Sequence, residues 1–289
     1  MPEDSARRRP PQPPADKTPS RSKSWDAVAE WYAGWSGAKG SRHHKEVAIP
    51  ALCHLLEPIR GEKVVDIGCG AGALASSVTA MGAAYVGVDL SSKLIALARS
   101  HHKSSQFYIG DATRLQTVSG LRPKHFDAAA FLLSLQDINP LDDAITSAAW
   151  ALKPRGRLGV MMIHPCFRVP RQSGWGWDEG RQLRYRRVDR YLTHLDVPMQ
   201  EYSGKEKGVT RSYHRPLQDY FKALSKAGFV VERLCELSAP LPPGPTHEKR
   251  ADRIAREDIP MFLGLRARLL QGEAIGATAL PGGEGPASI

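Results

Sequence analysis

Residues 64–73 read Val64-Val65-Asp66-Ile67-Gly68-Cys69-Gly70-Ala71-Gly72-Ala73, and this stretch decides the fold. Its apolar beginning is typical of a buried strand, its glycines are typical of a tight turn, and a helical pattern follows. Glycine is needed in such a turn where the backbone must adopt a positive φ or approach a ligand closely. Gly68, Gly70 and Ala73 also satisfy the G-x-G-x-x-G/A pattern of dinucleotide-binding proteins. The stretch alone therefore predicts a nucleotide-containing cofactor and leaves its class open.

Short apolar runs alternate with helical patterns on both sides of this stretch. Strands are predicted at residues 63–67, 84–88, 105–109, 126–132, 157–163, 229–237 and 260–269, and helices at residues 50–55, 72–81, 92–101, 142–151 and 216–227. Such an alternation is the signature of βαβ units. It predicts an α/β fold with a mostly parallel sheet and helices on both faces.

The two ends of the chain differ from its centre in composition. Residues 1–24 contain six prolines, and residues 272–289 contain five glycines and two prolines. Neither segment can bury enough apolar surface to offset the entropy lost on ordering. We therefore predict a disordered Pro/Arg-rich tail over 1–24, a single domain over 25–271 and a flexible tail over 272–289. Within the domain, residues 165–210 break the α/β rhythm, and we predict an insertion that lies over the carboxyl edge of the sheet.

Composition and spacing argue against several classes of protein. No apolar run approaches the roughly 18 residues of a membrane span. The arginines near the N-terminus are followed by prolines in place of the apolar stretch of a secretory signal, so we expect a cytoplasmic protein with no membrane partner. The four cysteines are far apart, and the paired histidines are adjacent residues that do not lie one helical turn apart. We therefore predict no disulfide framework and no metal.

Acidic residues follow the next two predicted strands. Asp89 ends the run Tyr85-Val86-Gly87-Val88-Asp89, where a carboxylate can accept hydrogen bonds from both hydroxyls of a ribose. Asp111, in Ile109-Gly110-Asp111-Ala112, is positioned for the amino group of an adenine. An acid at Asp89 suits a dinucleotide and equally suits other cofactors that contain a ribose. Asp111, together with the motifs of the fourth and fifth strands, separates these classes of cofactor.

The whole series of motifs, D-I-G-C-G-A-G, G-V-D-L-S, G-D-A, F-D-A and L-K-P-R-G-R-L, resembles the class I S-adenosylmethionine-dependent methyltransferase family over about residues 25–270. The resemblance implies a Rossmann-like, seven-stranded, mostly parallel sheet whose last strand, near residues 261–265, is antiparallel. It also implies S-adenosylmethionine as cofactor and S-adenosylhomocysteine as product. The sequence departs from many relatives in carrying Leu132 in place of a small polar residue and Gln136 in place of a histidine.

The resemblance assigns cofactor contacts residue by residue. The glycine turn is expected to face the methionine and ribose parts, Asp89 the ribose and Asp111 the adenine, while the backbone near Phe131 meets the methionine amino group and Asp66 supports that end. The full set of expected cofactor-binding residues is Asp66, Gly68, Cys69, Gly70, Gly72, Asp89, Leu90, Asp111, Ala112, Phe131 and Gln136.

The methyl acceptor should bind where open α/β sheets bind ligands, beyond the carboxyl ends of the strands. This rule points to Gln136, Asp137 and His164. A neutral imidazole at His164 could remove a proton from an acceptor hydroxyl or amine. Tyr32, on the helix that the resemblance places over the cofactor, and His214, before a later helix, are the other candidate catalytic residues.

Aromatic and arginine residues alternate in the predicted insertion, which would act as a lid on the acceptor site. Such a composition suits a flat ring and a carboxylate or phosphate. The predicted acceptor-binding residues are Trp31, His43, Trp175, Trp177, Arg184 and Arg187. They predict a small acceptor with an aromatic ring or an anionic group.

The leading hypothesis is methyl transfer to O, or to N or C, of a small metabolite, by a monomer or homodimer. The net charge of +10 raises an alternative, an RNA or protein methyltransferase. Nucleic acid is disfavoured because Leu133-Ser134-Leu135-Gln136 stands where amino-methylating nucleic-acid enzymes carry an N-P-P-Y-like tetrapeptide. A dinucleotide oxidoreductase and a non-catalytic scaffold that keeps the cofactor fold are the remaining alternatives.

Overall fold

The computed structural model describes residues 25–30, 40–199, 210–242, 244 and 248–270. The two predicted tails, and the predicted site residues Trp31 and Tyr32, lie outside the described residues. The predicted domain limits therefore stay predictions.

A seven-stranded sheet forms the centre of the described chain, in the order β10-β11-β5-β4-β1-β2-β3. Its strands are β1 (Lys63–Ile67), β2 (Ala84–Asp89), β3 (Gln106–Ile109), β4 (Phe126–Leu132), β5 (Leu152–Ile163), β10 (Phe229–Leu237) and β11 (Phe262–Leu269). Strands β1 to β5 are parallel to one another, and β11 runs antiparallel between β5 and β10. The predicted fold, with its antiparallel last strand, is confirmed.

The sheet is accompanied by helices α1 (Ile49–Leu56), α2 (Ala75–Ala80), α3 (Ser92–His101), α4 (Leu141–Ala151), α5 (Leu217–Lys226) and α6 (Arg250–Asp258). Helices α4 and α5 cover one face of the sheet, and α1, α2 and α3 contribute to the core on the other. Leu141, Ala144, Ile145 and Ala148 show why α4 packs there, because helical spacing brings these apolar side chains to one buried face.

Element boundaries differ from the prediction where glycine or proline shapes the backbone. The helix predicted at 72–81 begins only at Ala75, because Gly72 still has a φ of 84° and belongs to the turn. Strand β5 begins at Leu152, five residues before the predicted start, with a register irregularity between Phe126 and Ala128 of β4. Helix α6 is an addition to the prediction.

The predicted insertion forms two antiparallel hairpins. Strand β6 (Ser173–Asp178) pairs with β7 (Leu183–Val188), and β8 (Leu195–Met199) pairs with β9 (Thr210–His214). Strand β9 packs against the short 3-10 turn Leu135–Asp137 that follows β4, and β7 packs against α6. The second hairpin therefore lies at the carboxyl end of β4. Its role as a lid stays a prediction.

No helix in the described part of the chain is both long enough and apolar enough to cross a membrane.

Candidate functional site

The turn between β1 and α2, residues 68–72, requires glycine at three positions. Gly68, Gly70 and Gly72 have φ values of 74°, 54° and 84°, in the left-handed region that side chains disfavour. A Cβ on Gly68 would also lie 2.7 Å from the Cβ of Ser134. We call residues 68–72 the glycine loop. Its main chain is pressed closely against the segment after β4, and a side chain at Gly68 would force that contact apart.

The N–H groups of the glycine loop are mostly used inside the protein. Gly68 and Cys69 both donate to the carbonyl of Val88, at 2.8 and 3.0 Å. Gly70 donates to Oδ2 of Asp89 at 2.8 Å, and Gly72 donates to the carbonyl of Cys69 at 3.0 Å. Thus four of the five N–H groups of this loop have protein acceptors. A dinucleotide needs such groups for its pyrophosphate, so the geometry disfavours the dinucleotide alternative.

Two carboxyl groups lie beside the glycine loop, the buried one of Asp66 and the half-buried one of Asp89. Asp66 is 1% exposed, and its Oδ2 accepts a 2.7 Å hydrogen bond from the Tyr85 hydroxyl, while its Oδ1 has no hydrogen-bond partner among the described residues. Burial, opposed by the Tyr85 hydrogen bond and aided by the charge of Asp89, raises the pKa of Asp66 to about 7. Negative charge at this position is therefore incompletely compensated.

Asp89, at the end of β2, holds the loop from the other side. Its Oδ2 accepts from Gly70 N–H and its Oδ1 from Ser91 N–H, each at 2.8 Å. Burial raises the pKa of Asp89 above its ordinary value. Within the described part of the chain, neither Asp66 nor Asp89 forms an ion pair with Lys or Arg. These residues fit S-adenosylmethionine, whose ammonium and sulfonium groups bring positive charge and whose ribose brings two hydroxyl donors.

The N-terminal segment docks beside Asp89. Residues 25–30 are helical. The Asp26 carboxylate accepts from the Ser91 hydroxyl at 2.6 Å and from Lys93 N–H at 3.2 Å. Ser91 in turn caps α3, accepting from Leu94 N–H at 3.1 Å. This contact places the first helix beside Asp89. Its closure over the cofactor stays a prediction, because Trp31 and Tyr32 lie outside the described residues.

Asp111, the acid expected at the adenine, closes a local turn after β3. Its Oδ1 accepts from both the N–H and the hydroxyl of Thr113, at 2.9 and 2.7 Å. Burial alone would raise the pKa of Asp111, but these hydrogen bonds and Arg114 hold it below its ordinary value. The carboxylate is thus ionised and fixed in place. Ala112 beside it and Leu90 after β2 are half-buried.

Two other predicted cofactor residues have side chains that point into the protein. Cys69 is 7% exposed, and its thiol donates to the Gly70 carbonyl and lies where a side chain on Gly87 would be placed. Phe131 is fully buried in the core within β4. Only the main chain of these residues can meet a ligand. The carboxyl edge of the sheet closest to Phe131 is reached at Leu133, which is one residue beyond the end of β4.

The segment after β4 carries a strained residue and an unsatisfied amide. Leu133 has a φ of 53°, which is uncommon for a residue with a side chain. Such a conformation costs free energy, and it persists only where the surrounding structure holds it in place. Gln136 donates from Nε2 to the Leu133 carbonyl at 2.5 Å, and its buried Oε1 has no hydrogen-bond partner among the described residues. Ser134 joins this segment to the glycine loop by donating to the Ile67 carbonyl at 2.8 Å.

Asp137 ends the same short turn and faces the second hairpin. Burial, opposed by a hydrogen bond from Ser212 and by the charge of Arg215, raises the pKa of Asp137 to about 7. Arg215 is 7% exposed, and its Nη2 donates to the Ile138 carbonyl at 2.7 Å and to Asn139 Oδ1 at 3.0 Å. The sequence pointed to Asp137 by its place after β4, but not to Ser212 or Arg215, which come from a distant hairpin.

His164, the first candidate base, is buried and hydrogen bonded at both ring nitrogens. Cys166 N–H donates to Nδ1 at 3.2 Å, so Nε2 carries the proton and donates to Glu236 Oε1 at 2.8 Å. Burial lowers the pKa of His164, although Glu236 opposes this shift. The imidazole is therefore neutral, but neither nitrogen is free to receive a proton. A catalytic role for His164 stays a prediction that this geometry does not favour.

His214 and His43 lie at different parts of the carboxyl edge. His214 is 4% exposed, and its Nε2 bonds to the Tyr191 carbonyl at 2.7 Å, which fixes β9. His43 meets the ring of Phe262 edge-on, at 6.0 Å between centroids, near the end of β5. In the described residues, no three His, Cys, Asp or Glu side chains gather in a way that could hold a metal ion.

The predicted acceptor-binding arginines of the insertion are occupied by acids. Arg184 pairs with Asp252 of α6 at 2.5 Å, and Arg187 pairs with Asp189 at 3.0 Å. Trp175 and Trp177 are 39% and 43% exposed. Two arginines that the prediction did not single out, Arg168 and Arg186, instead lie against the Trp175 ring.

A cavity of about 620 Å³ opens between the second hairpin and helices α4 and α5. Its lining includes Asn139, Tyr213, His214 and Arg215, and no residue of the glycine loop. It is therefore separate from the cofactor residues, although it adjoins the network around Asp137.

Comparison with known proteins supports S-adenosylmethionine as the cofactor that these residues fit. Residues 65–160 match the family described as a methyltransferase domain. The chain is 29% identical over 150 residues to a ubiquinone biosynthesis O-methyltransferase of Xylella fastidiosa, which covers 50% of this chain and 60% of that protein. It is 34% identical over 119 residues to a demethylmenaquinone methyltransferase of Tropheryma whipplei, which covers 40% of this chain and 48% of that protein. The chain thus spans about half the length of the curated relatives that it matches.

A solved structure extends the likeness beyond the matched segment. An S-adenosylmethionine-dependent methyltransferase from Mesorhizobium loti superposes with a TM-score of 0.60 at 27% identity, over 76% of this chain and 96% of that chain. The matched residues 65–160 run from β1 into β5, so they include the glycine loop and both acidic strand ends. By its fold, its motifs and these relatives, the chain is similar to the class I, Rossmann-like S-adenosylmethionine-dependent methyltransferases.

Proposed function

We propose that this protein transfers a methyl group from S-adenosylmethionine to an oxygen atom of a small-molecule acceptor. One observation carries the proposal: the glycine loop uses four of its five N–H donors internally and lies between two carboxyl groups without cationic partners in the described structure, the buried Asp66 and the half-buried Asp89. Such a site suits a cationic adenosyl cofactor better than a pyrophosphate. The name O-methyltransferase, borne by one relative, supports oxygen as the methylated atom.

Bound S-adenosylmethionine supplies an electrophilic methyl carbon at its sulfonium. The glycine loop, Asp66 and Asp89 would hold this cofactor. The acceptor oxygen would take the methyl group with a lone pair, the electrons of the C–S bond would stay on sulfur, and the hydroxyl proton would pass to a residue of this chain. Methyl transfer depends mainly on in-line positioning, so the chain's own residues contribute by orienting the acceptor and receiving that proton.

Asp137 is the residue that we propose as the proton acceptor. It follows β4 in the segment that Ser134 ties to the glycine loop, and its pKa of about 7 keeps it available near neutral pH. The groups that face it are the Ser212 hydroxyl and the Arg215 guanidinium. His164, by contrast, has both ring nitrogens engaged.

Three arginines of the hairpins are already paired with acids, which leaves fewer cationic groups for a large polyanionic partner. Arg184, Arg187 and Arg211 each form an ion pair with an aspartate in the described structure. Arginines that track a nucleic-acid backbone are needed free for phosphates. We therefore favour a small acceptor over RNA.

The test detects methyl transfer without requiring that the acceptor be known beforehand. Purified protein is incubated with small-molecule extracts and deuteromethyl-labelled S-adenosylmethionine, and products are sought by mass spectrometry. We expect a labelled small molecule that is absent when Asp89→Ala protein is used. Label found only in RNA or protein, or none in any fraction, would overturn the proposal.

A further inference from the structure

Two arginines at the carboxyl edge of the sheet share one aromatic ring. The guanidinium carbon of Arg168 lies 5.3 Å from the ring centroid of Trp175, and that of Arg186 lies 5.2 Å from the same centroid. Both distances are within the range of cation–π attraction. Both guanidinium groups thus lie against the same indole, and we call Arg168, Trp175 and Arg186 the arginine pair site.

Neither positive charge is neutralised in the described residues. Arg168 and Arg186 form no ion pair there, whereas their neighbours Arg184 and Arg187 each have an aspartate. The buried Nε of Arg168 also has no hydrogen-bond partner in that part of the chain. Burial, together with the charge of Arg186, lowers the pKa of Arg168 to about 10. Two cations that repel each other, together with an unused buried donor, favour the binding of an anion beside them.

Protein contacts hold one of these arginines and leave the other available. Arg186 donates from Nε to the Phe167 carbonyl at 2.9 Å and from Nη2 to the Ser173 hydroxyl at 2.8 Å. These bonds fix its guanidinium before any ligand arrives, so little entropy is lost on binding. The guanidinium of Arg168 has no such protein acceptor in the part of the chain that the structure describes. Its fork suits the two oxygens of a carboxylate or phosphate.

The arginine pair site lies on the side of the sheet where the acceptor must bind. Arg168 follows β5 by five residues, and its backbone N–H closes a turn onto the His164 carbonyl at 2.9 Å. Its charge reaches His164, whose pKa it helps to lower. Since ligands of parallel sheets bind beyond the carboxyl ends of the strands, the pair adjoins the region that the glycine loop also borders.

We propose that Arg168 and Arg186, supported by Trp175, bind an oxyanion of the methyl acceptor, a carboxylate or a phosphate. The inference rests on the proposed function, because the ligand is taken to be the acceptor. It moves acceptor recognition away from Arg184 and Arg187, which the sequence predicted and which are engaged with aspartates. It also commits the acceptor to a small molecule that carries negative charge.

The test is calorimetric titration of the full-length protein, with and without saturating S-adenosylhomocysteine. The probes are benzoate, phenyl phosphate and the neutral benzamide. We expect one of the two anions to bind and benzamide not to bind, and the stronger anion identifies the acceptor group. Arg168→Met and Arg186→Met should each weaken that binding at least about tenfold, since a charge-assisted hydrogen bond is lost. Arg168→Lys, which keeps the charge, should restore part of it.

The control is Arg187→Met, which removes the same charge from an exposed arginine that already has an aspartate. Anion affinity unchanged in this variant supports the inference, whereas an equal loss in Arg187→Met and Arg168→Met, or no anion binding at all, overturns it. Binding of S-adenosylhomocysteine is measured in every variant. If that ligand binds and the anions do not, this inference fails and the proposed function stands. If that ligand does not bind, the proposed function itself fails.

Discussion

The glycine loop and the two hairpins of residues 173–214 hold their polar groups in different ways. In the glycine loop, main-chain N–H groups and the adjacent carboxyls of Asp66 and Asp89 are fixed by a short run of backbone with positive φ. In the hairpins, arginine side chains are placed by acidic partners, and some of these partners are distant in sequence, as Asp252 is from Arg184. The first arrangement tolerates almost no substitution, and the second should tolerate most.

Replacing Gly68 tests the first half of this contrast and should have the largest effect. Gly68→Ala places a side chain at a φ of 74° and 2.7 Å from the Cβ of Ser134. We expect affinity for S-adenosylhomocysteine to fall by more than about a hundredfold, because the glycine loop and the segment after β4 must move apart. Gly61→Ala is the matched control, since Gly61 has a similar φ of 86° but nothing near its Cβ. Equal affinities of the two variants would contradict the account.

Asp137 tests whether a hairpin contact nevertheless enters the chemistry. Asp137→Asn should lower kcat by about a hundredfold, the usual contribution of a general base. A base acts when deprotonated, so the wild-type rate should rise with pH through about 7, where Asp137 loses its proton. The pH profile of Asp137→Asn should lack that rise.

His164→Gln provides the comparison for Asp137. Because His164 serves as a buried hydrogen-bonding residue, we expect this variant to lose thermal stability and to keep the pH dependence of the wild type. A pH profile flattened by His164→Gln and left unchanged by Asp137→Asn would reverse the two roles. Rates are measured with whichever labelled product the extract experiment identifies.

Asp66 should make the cofactor-free protein sensitive to pH. Its pKa is about 7 when folded and near 3.8 when unfolded. Between these values the folded state binds more protons, so stability is greatest below the lower value and falls as pH rises toward 7. Asp66→Asn should reduce that fall, measured as the change in melting temperature between pH 5 and pH 8. Asp137 retains a similar contribution, so part of the slope should persist. A slope equal to that of the wild type would show that Asp66 carries no such proton.

The smallest effects are expected at the paired arginines of the first hairpin. Arg184→Met and Arg187→Met each break an exposed ion pair, and such pairs contribute about 0–1 kcal/mol. We expect little change in melting temperature or in the KM for the acceptor. A marked rise in KM would restore these residues as the acceptor contacts and would erase the contrast between the two regions.

Much of the sheet could be predicted because its signals are local. Strand β10 was predicted at its observed bounds, and most of the other strands and helices to within two residues, because apolar period and glycine placement act within a few residues. The prediction starts helix α2 three residues too early, because the periodicity does not show that the backbone still turns at Gly72. Helix α6 escaped prediction because only Ala251 and Ala255, one turn apart, are buried in a largely charged segment.

The acceptor side was less predictable because its signals are not local. The sequence shows seven arginines in residues 168–190 but not which of them meet an acid. The partner of Arg184 lies on α6, and the residues that face Asp137 lie on β9 and just after it. Likewise, the hydrogen bonds that occupy His164 come from Cys166 and from Glu236 on β10. Tertiary pairing of this kind is fixed by the fold and leaves no periodic trace in the sequence.

The central claim is that the glycine loop, between Asp66 and Asp89, binds an adenosyl cofactor and not a dinucleotide. Calorimetric titration of the full-length protein with S-adenosylhomocysteine, and separately with NADH, tests it most directly. The account predicts saturable one-to-one binding of S-adenosylhomocysteine and none of NADH. Binding of NADH, or no binding of S-adenosylhomocysteine by folded protein, would contradict it.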